Sequence, residues 1–365
     1  MQAAAREKPP VGIVLDFDLG DSIDDALALA LLYGFATKSG PEARLVSISL
    51  TKSNLHAAAF CEAVDRYYSN LANREMPERF RRYRDRAIGL SDSGWSSEDT
   101  PSLTVPLAKR DGDGKLVYEH HVDRMIDTAD PAAVIRNALT AQHDQNAIVV
   151  LTGPATNLAR VLELRGAKEL IAAKVRYLSV MGGSYSGGSD EAEYNVKSDI
   201  TSAQKLFAEW PTPIVASGAE IGAELLYPGA SIEHDFGWTE HHPLVDAYRA
   251  HQEMPYDAPT WDMTSALYAV RPDEGYFRLS EPGTIRVLDD GLTEFTPSAD
   301  GKHRHLILEP AQKECVVEAY VDIVSAMPAP RELPRFLRRL LEQRKKEEEE
   351  KRLKEEQTAA PSTGG

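Results

Sequence analysis

Apolar residues along this chain fall into short runs closed by Gly, Pro, Asn or Asp, the pattern of buried strands alternating with helices. The first run, Val11 to Leu15, passes through Leu19-Gly20-Asp21-Ser22, where an Asp or Ser can cap the next helix, into a helical apolar segment, Ala26 to Leu32. Arg44 to Leu50 predicts a second strand, ending in Thr51, Lys52, Ser53 and Asn54, with a helix from His56 to about Tyr68. Residues 70–130, first basic and then rich in Ser, Gly, Pro and Asp, read as loops in which Trp95 and Tyr118 either line a pocket or, as scattered aromatics more often do, pack. Asp130 to Gln142 predicts a helix with Asp as cap and Pro at its first position. Strands are expected at Ala147–Leu151, Val175–Met181 and Pro213–Ser217, with a helix over Ile200–Glu209 before the last. Residues 275–310 alternate apolar and polar around glycines, which predicts β-hairpins, and Lys313 to Ser325 reads as a final helix or strand.

These elements predict an α/β fold, an open, mostly parallel sheet flanked by helices, with a small antiparallel β addition near the C-terminus. The body is expected over residues 11–330, after a flexible arm at 1–10. From Arg331 the chain is strongly charged, with a short apolar stripe (Leu333, Leu337, Leu340, Leu341) on an exposed helix and a disordered end, TAAPSTGG. A net charge of −16 argues against nucleic acid as a partner, and no apolar run approaches the roughly 18 residues of a membrane helix. The opening MQAAAREKPP has no apolar core of a signal peptide. It reads as the start of a cytoplasmic chain, or as the spacer left after an export signal is removed. Cys61 and Cys315 sit among apolar neighbours and read as buried hydrophobes rather than a disulfide framework.

The chemistry is concentrated after the first strand. Asp16, Asp18, Asp24 and Asp25 fall within ten residues at a strand-to-helix junction, with Asp21 between them. Unpaired, such acids repel and raise one another's pKa, and a hard cation relieves this because Ca²⁺ and Mg²⁺ take carboxylate oxygens. The carboxyl end of a parallel strand is also where open α/β sheets bind ligands.

The stretch Asp16-Phe-Asp18-Leu-Gly-Asp-Ser-Ile-Asp24-Asp25-Ala-Leu resembles the amino-terminal signature of the inosine-uridine-preferring nucleoside hydrolase family, in a form with a longer turn before the Asp pair. Three further stretches resemble that family's motifs in order: Thr152-Gly-Pro-Ala-Thr-Asn-Leu-Ala, Ala192-Glu193-Tyr194-Asn195 through Asp199, and Trp261-Asp262 opening a helix. The resemblance implies a Ca²⁺ site made by Asp18, Asp25, Asp262 and the carbonyl of Thr152. It implies Asp18 as general base, Asp24, Asn54, Glu193 and Asn195 on the sugar, Asp16 orienting the metal site, and a homo-oligomer. Trp261 replaces the His that protonates the leaving base in some members, and it can stack on the aglycone; Tyr185, Tyr194 or a loop His would then serve as acid. The family's Asn for the 5′-hydroxyl side is missing, with Ser189 or Asp190 near its place.

Other readings stay open at this level. Asn54 and Asp262 suit ordinary helix caps, and Trp261 a core position. LDFDLG also resembles the nucleophile motif of haloacid-dehalogenase-type phosphatases, with Gly20 in place of Thr or Val. A binding relative without turnover is the third reading.

Overall fold

The first apolar run becomes the strand β1 (Val11–Phe17), buried along its whole length. The computed structural model to which it belongs describes residues 9–77, 86–92, 99–186, 191–331, 336–340, 342–343 and 346–347. The next strands are β2 (Ala43–Leu50), β3 (Ile88–Leu90), β4 (Ala147–Thr152), β5 (Val175–Met181) and β6 (Ile214–Ser217). Further on come β7 (Leu226–Tyr227), β8 (Ala258–Pro259), β9 (Arg278–Leu279), β10 (Gly283–Val287), β11 (Thr293–Pro297) and β12 (His303–Ile307).

One sheet takes the order β11-β10-β12-β6-β5-β4-β1-β2-β3, with β9 paired to β12. From β3 to β12 the neighbours run parallel. β10 pairs antiparallel with β11 and β12, and β9 antiparallel with β12. Side chains alternate across β1: Ile13, Leu15 and Phe17 join the core under the Asp24–Thr37, Leu55–Ala72 and Trp261–Val270 helices. Val14 joins the core on the other face, under the Pro131–Thr140, Thr156–Glu163 and Ile200–Glu209 helices. Helices on both faces are why β1 and β4 are buried throughout and, apart from Asp16 and Thr152, carry no polar side chain. The order reverses between β1 and β4, which opens a crevice beyond their carboxyl ends.

The expected α/β architecture is thus present, with three differences. Residues 70–130 are not all loop: they contain β3, a helix over Pro101–Ala108 and a short 3₁₀ turn at Met125–Asp127. Leu226–Tyr227 and Ala258–Pro259 form an additional antiparallel pair. The expected antiparallel addition near the C-terminus is present, with β10 pairing β11 and β12, and β12 joins it to the main sheet by pairing in parallel with β6. Cys315 is exposed, since the Lys313–Val324 helix turns Val316, Ala319, Tyr320 and Ile323 inward instead; Cys61 is buried as expected. Tyr118 packs, donating to Asp246 at 2.5 Å, and Leu337 is buried. Trp95, Ser189, Asp190, Leu333, Leu341, the charged run beyond residue 347 and the arm up to residue 8 lie outside the described residues. No described helix is long and apolar enough to cross a membrane.

Candidate active site

A cavity of about 390 Å³ occupies the crevice at the carboxyl ends of β1, β4 and β5. Its lining gathers Asp18, Asp21, Ser22, Asp24 and Asp25 from the first junction, Thr152 from β4 and Met181 from β5. Glu193, Tyr194 and Asn195 close one side, and Ala219, Trp261 and Asp262 the other. Residues more than two hundred positions apart in the chain thus meet in one cavity.

The local geometry arises from the turn after β1. Gly20 has φ of +142°, which a side chain would resist, and this lets the chain bend from the strand into the helix. The expected cap by Asp21 or Ser22 is not formed: Ile23 holds the cap position without a side-chain bond. The first-turn acid does that work instead, for the Asp24 carboxylate accepts from the Ser22 hydroxyl and from the amides of Asp24 and Asp25. It also accepts from the Asp262 amide at 3.0 Å, which joins the starts of two helices across the crevice. Gly153 lets the turn after β4 press on Asp18; a Cβ there would stand 2.9 Å from the Asp18 amide nitrogen and 3.0 Å from its Oδ1. Gly153→Ala is therefore expected to displace Asp18 and to destabilise the protein by about 1–3 kcal/mol, measured as a lower thermal midpoint together with lost activity.

Asp16 lies behind this wall. It is fully buried, and its Oδ1 accepts from Ser49 at 2.6 Å and from Asn157 at 2.9 Å, while Oδ2 has no partner. Burial pushes its pKa up to about 7. A carboxylate so enclosed cannot meet a phosphoryl group, and this removes the phosphatase reading, which needs Asp16 as nucleophile.

Asp18 is 7 % exposed, and its Oδ2 lies 2.7 Å from the ammonium of Lys52. Burial raises its pKa to about 6, with Lys52 opposing the rise. Asp25 and Asp262 are buried and share a hydrogen bond, and burial followed by repulsion from neighbouring acids holds both well above the usual carboxylate range. Asp25 Oδ1 and Asp262 Oδ2 have no partner, nor does the buried hydroxyl of Thr152. Among the described residues no three His, Cys, Asp or Glu side chains form a ready-made cation cage. Asp25 and Asp262 are bonded to one another, and Asp18 faces Lys52. The donors are nevertheless those a hard cation prefers: buried carboxylate oxygens of like charge, left unpaired.

On the opposite side Glu193 caps the Tyr194–Ser198 helix, accepting from Gly183, Asn195 and Val196 amides at 2.9–3.1 Å. Burial lifts its pKa to about 7. Asn195 donates to Met181 O at 3.4 Å. Trp261 lines the cavity and is held by its indole N–H on Ala219 O at 3.0 Å. Asn54 behaves differently: its Oδ1 caps the Leu55–Ala72 helix at the Ala57 amide, and it does not line the cavity. Tyr185 also stands off it, with its hydroxyl on Gly182 O. Sequence reading passed over Asn157, Ser49 and Lys52. The Asn of the Thr152–Ala159 motif and the lysine at the end of β2 were visible, but not their direction.

Without a cation, the raised acids have a measurable consequence. Asp16 and Asp18 move from 3.8 to about 7 and about 6, and Glu193 from 4.5 to about 7. The stability tied to these protons is fully present below the unfolded values and is lost as pH rises through the folded ones. The thermal midpoint of the chelated protein is expected to fall between about pH 4 and pH 7, the window these values span, and added Ca²⁺ to restore it. A midpoint that rises over that window would count against these assignments.

The cavity is thus strongly acidic, lies at the switch point of a parallel sheet with the order β3-β2-β1-β4-β5-β6, and takes its acids from both chain halves. Residues 13–324 match the family described as inosine-uridine preferring nucleoside hydrolase. The chain belongs to this family, whose members hydrolyse the N-glycosidic bond of nucleosides. Among solved structures it is similar to a plant nucleoside hydrolase, with TM-score 0.60 and 19 % identity over 87 % of this chain and 100 % of that one. It is similar also to the inosine-uridine preferring nucleoside hydrolase from Bacillus anthracis, with TM-score 0.60 and 16 % identity over 86 % and 99 % of the two chains. A purine-preferring ribonucleoside hydrolase from Gardnerella vaginalis gives 0.61 and 18 % over 86 % and 98 %. At these identities the likeness is one of fold. No curated protein matches.

Proposed function

We propose that the chain hydrolyses ribonucleosides to free base and ribose in a Ca²⁺-dependent reaction. The observation that carries this reading is the pair of buried, unpartnered carboxylate oxygens, Asp25 Oδ1 and Asp262 Oδ2, in the cavity that Asp18 also lines. Asp18, Asp25, Asp262 and the carbonyl of Thr152 would hold the cation. When bound, it supplies Lewis-acid activation of a water and neutralises the repelling acids.

The chain's own residues do the rest. Asp18 takes the proton of the attacking water; a carboxylate lifted to about 6 is a stronger base than an ordinary one and stays ionised at neutral pH. The sugar then passes through an oxocarbenium-like state, whose positive charge the surrounding carboxylates stabilise. Asp24, Glu193 and Asn195 orient the ribose hydroxyls, with Asn195 offering both a donor and an acceptor. Asp16, held by Ser49 and Asn157, fixes the end of β1 from which Asp18 projects. Asn54 contributes by capping the helix behind β2 and not by touching the sugar. Trp261 stands on the cavity wall where a flat base can stack. Among the described lining residues Tyr194 is the hydroxyl-bearing aromatic closest to serving as leaving-group acid, and no histidine lines the cavity.

Comparison of ribonucleosides with their 2′-deoxy counterparts tests the sugar assignment. Rapid base release from the ribonucleosides and little from the deoxy series supports it. Equal rates on both would remove the role given to the acids around the ribose, and ribonucleoside binding without release would favour a binding relative.

A further inference from the structure

Lys52 lies at the end of β2 and yet is only 4 % exposed. Its ammonium stands 2.7 Å from Asp18 Oδ2, is paired with Asp21, and donates to the Tyr194 hydroxyl at 3.0 Å. Three partners use all three N–H donors of an ammonium, so this is not a surface lysine passing by chance. The three partners come from the end of β1, from its adjoining turn and from the far wall of the cavity. Around them lie Asp24, Asp25 and Asp262, buried acids of which Asp25 and Asp262 carry unpaired oxygens. Among the described residues that line or border this cavity, Lys52 supplies the cationic charge.

We infer that Lys52 is a positioning residue of the hydrolytic site: a built-in counter-cation that holds Asp18 in place and limits how tightly the acidic cavity takes a divalent cation. The inference rests on the hydrolase reading given above. An ammonium on one oxygen of Asp18 leaves the other, Oδ1, against the turn at Gly153. It fixes the direction of the base through a short, buried ion pair, and in a water-poor wall such a pair is only weakly screened. The same charge stands beside any cation that Asp18 helps to bind. Like charges a few ångströms apart in a partly buried site repel by more than the energy of a tenfold change in affinity. The lysine also ties Asp21 to Tyr194 across the mouth, so that the wall carrying Glu193 and Asn195 is braced against the first turn.

A purely structural brace and a counter-cation differ in the direction of one effect. Removing a brace loosens the site and weakens cation binding; removing a competing charge tightens it. Calorimetric Ca²⁺ titration of the full chain, as wild type, Lys52→Met, Lys52→Gln and Lys52→Arg, separates the two, with thermal unfolding to confirm that each variant is folded. Both neutral variants are expected to bind Ca²⁺ roughly tenfold or more tightly than wild type, while kcat falls because Asp18 is no longer held. Lys52→Arg keeps the charge and is expected to keep the wild-type affinity. A wild type without detectable binding beside a neutral variant that binds would support the inference most strongly. Unchanged or weaker binding in both neutral variants, or none in any protein, overturns it. Nucleoside turnover by the wild type is read in parallel: Ca²⁺ binding without turnover defeats the hydrolase reading, while the titrations still decide the role of Lys52.

Discussion

Asp18→Asn is expected to lower kcat/KM for nucleoside hydrolysis by about a thousandfold, the middle of the range that a positioned general base contributes. The amide preserves shape and can still touch a cation through its oxygen, but it cannot accept the water's proton. Asp18 is also the residue on which the geometry converges: it leaves the carboxyl end of β1, is pressed by the Gly153 turn and is paired with Lys52. The loss is expected mainly in kcat, since the sugar contacts assigned to Asp24, Glu193 and Asn195 survive. Steady-state assays on the purified variant check this, with Asp16→Asn beside it. Asp16 is enclosed by Ser49 and Asn157 and has no access to substrate, so its effect is expected to be smaller and accompanied by lost stability. Equal losses at both positions would deny Asp18 its role as base.

Asp262→Asn is expected to change two quantities in opposite directions. With Ca²⁺ present it removes a ligand, and turnover is expected to fall by about a hundredfold or more. Without the cation it relieves repulsion in a buried group of acids, because Asp24, Asp25 and Asp18 all raise the pKa of Asp262 after burial itself. An amide at this position donates to Asp25 and carries no charge, so the calcium-free variant is expected to unfold at a higher temperature than calcium-free wild type. Calcium should stabilise the wild type strongly and the variant little. A variant that is less stable than wild type under chelation, or stabilised by Ca²⁺ to the same extent, would contradict the placement of Asp262 at a cation site.

Much of this arrangement was legible in the residues. Val11 to Leu15, a short apolar run closed by turn residues, read as a buried strand, and the acids after it had to meet solvent, a cation or each other. The apolar runs at 147–151, 175–181 and 213–217 marked strands because a sheet covered on both faces needs continuous burial. The stretch from 70 to 130 was opaque for a physical reason: β3 has three residues, too few for any periodicity, and it exists because β2 offers it an edge. The alternation over residues 275–310 revealed strands but not that β12 would pair in parallel with β6, a choice made by tertiary contact. Asn54 fitted two roles equally, and its Oδ1 takes that of the cap. Lys52 was visible as a residue type but not as a partner of Asp18, since the direction of a side chain beyond a strand end depends on the neighbouring strand. The functional site was thus readable where one element carried it, and hidden where three elements had to meet.

The most direct measurement is base release from inosine and uridine by the purified chain, recorded first with Ca²⁺, then after chelation, then after Ca²⁺ is restored. Release that stops on chelation, returns with calcium and is absent in Asp18→Ala is the expected result. Release unaffected by chelation, or absent under every condition in a protein that binds Ca²⁺, would contradict calcium-dependent hydrolysis of ribonucleosides by this site.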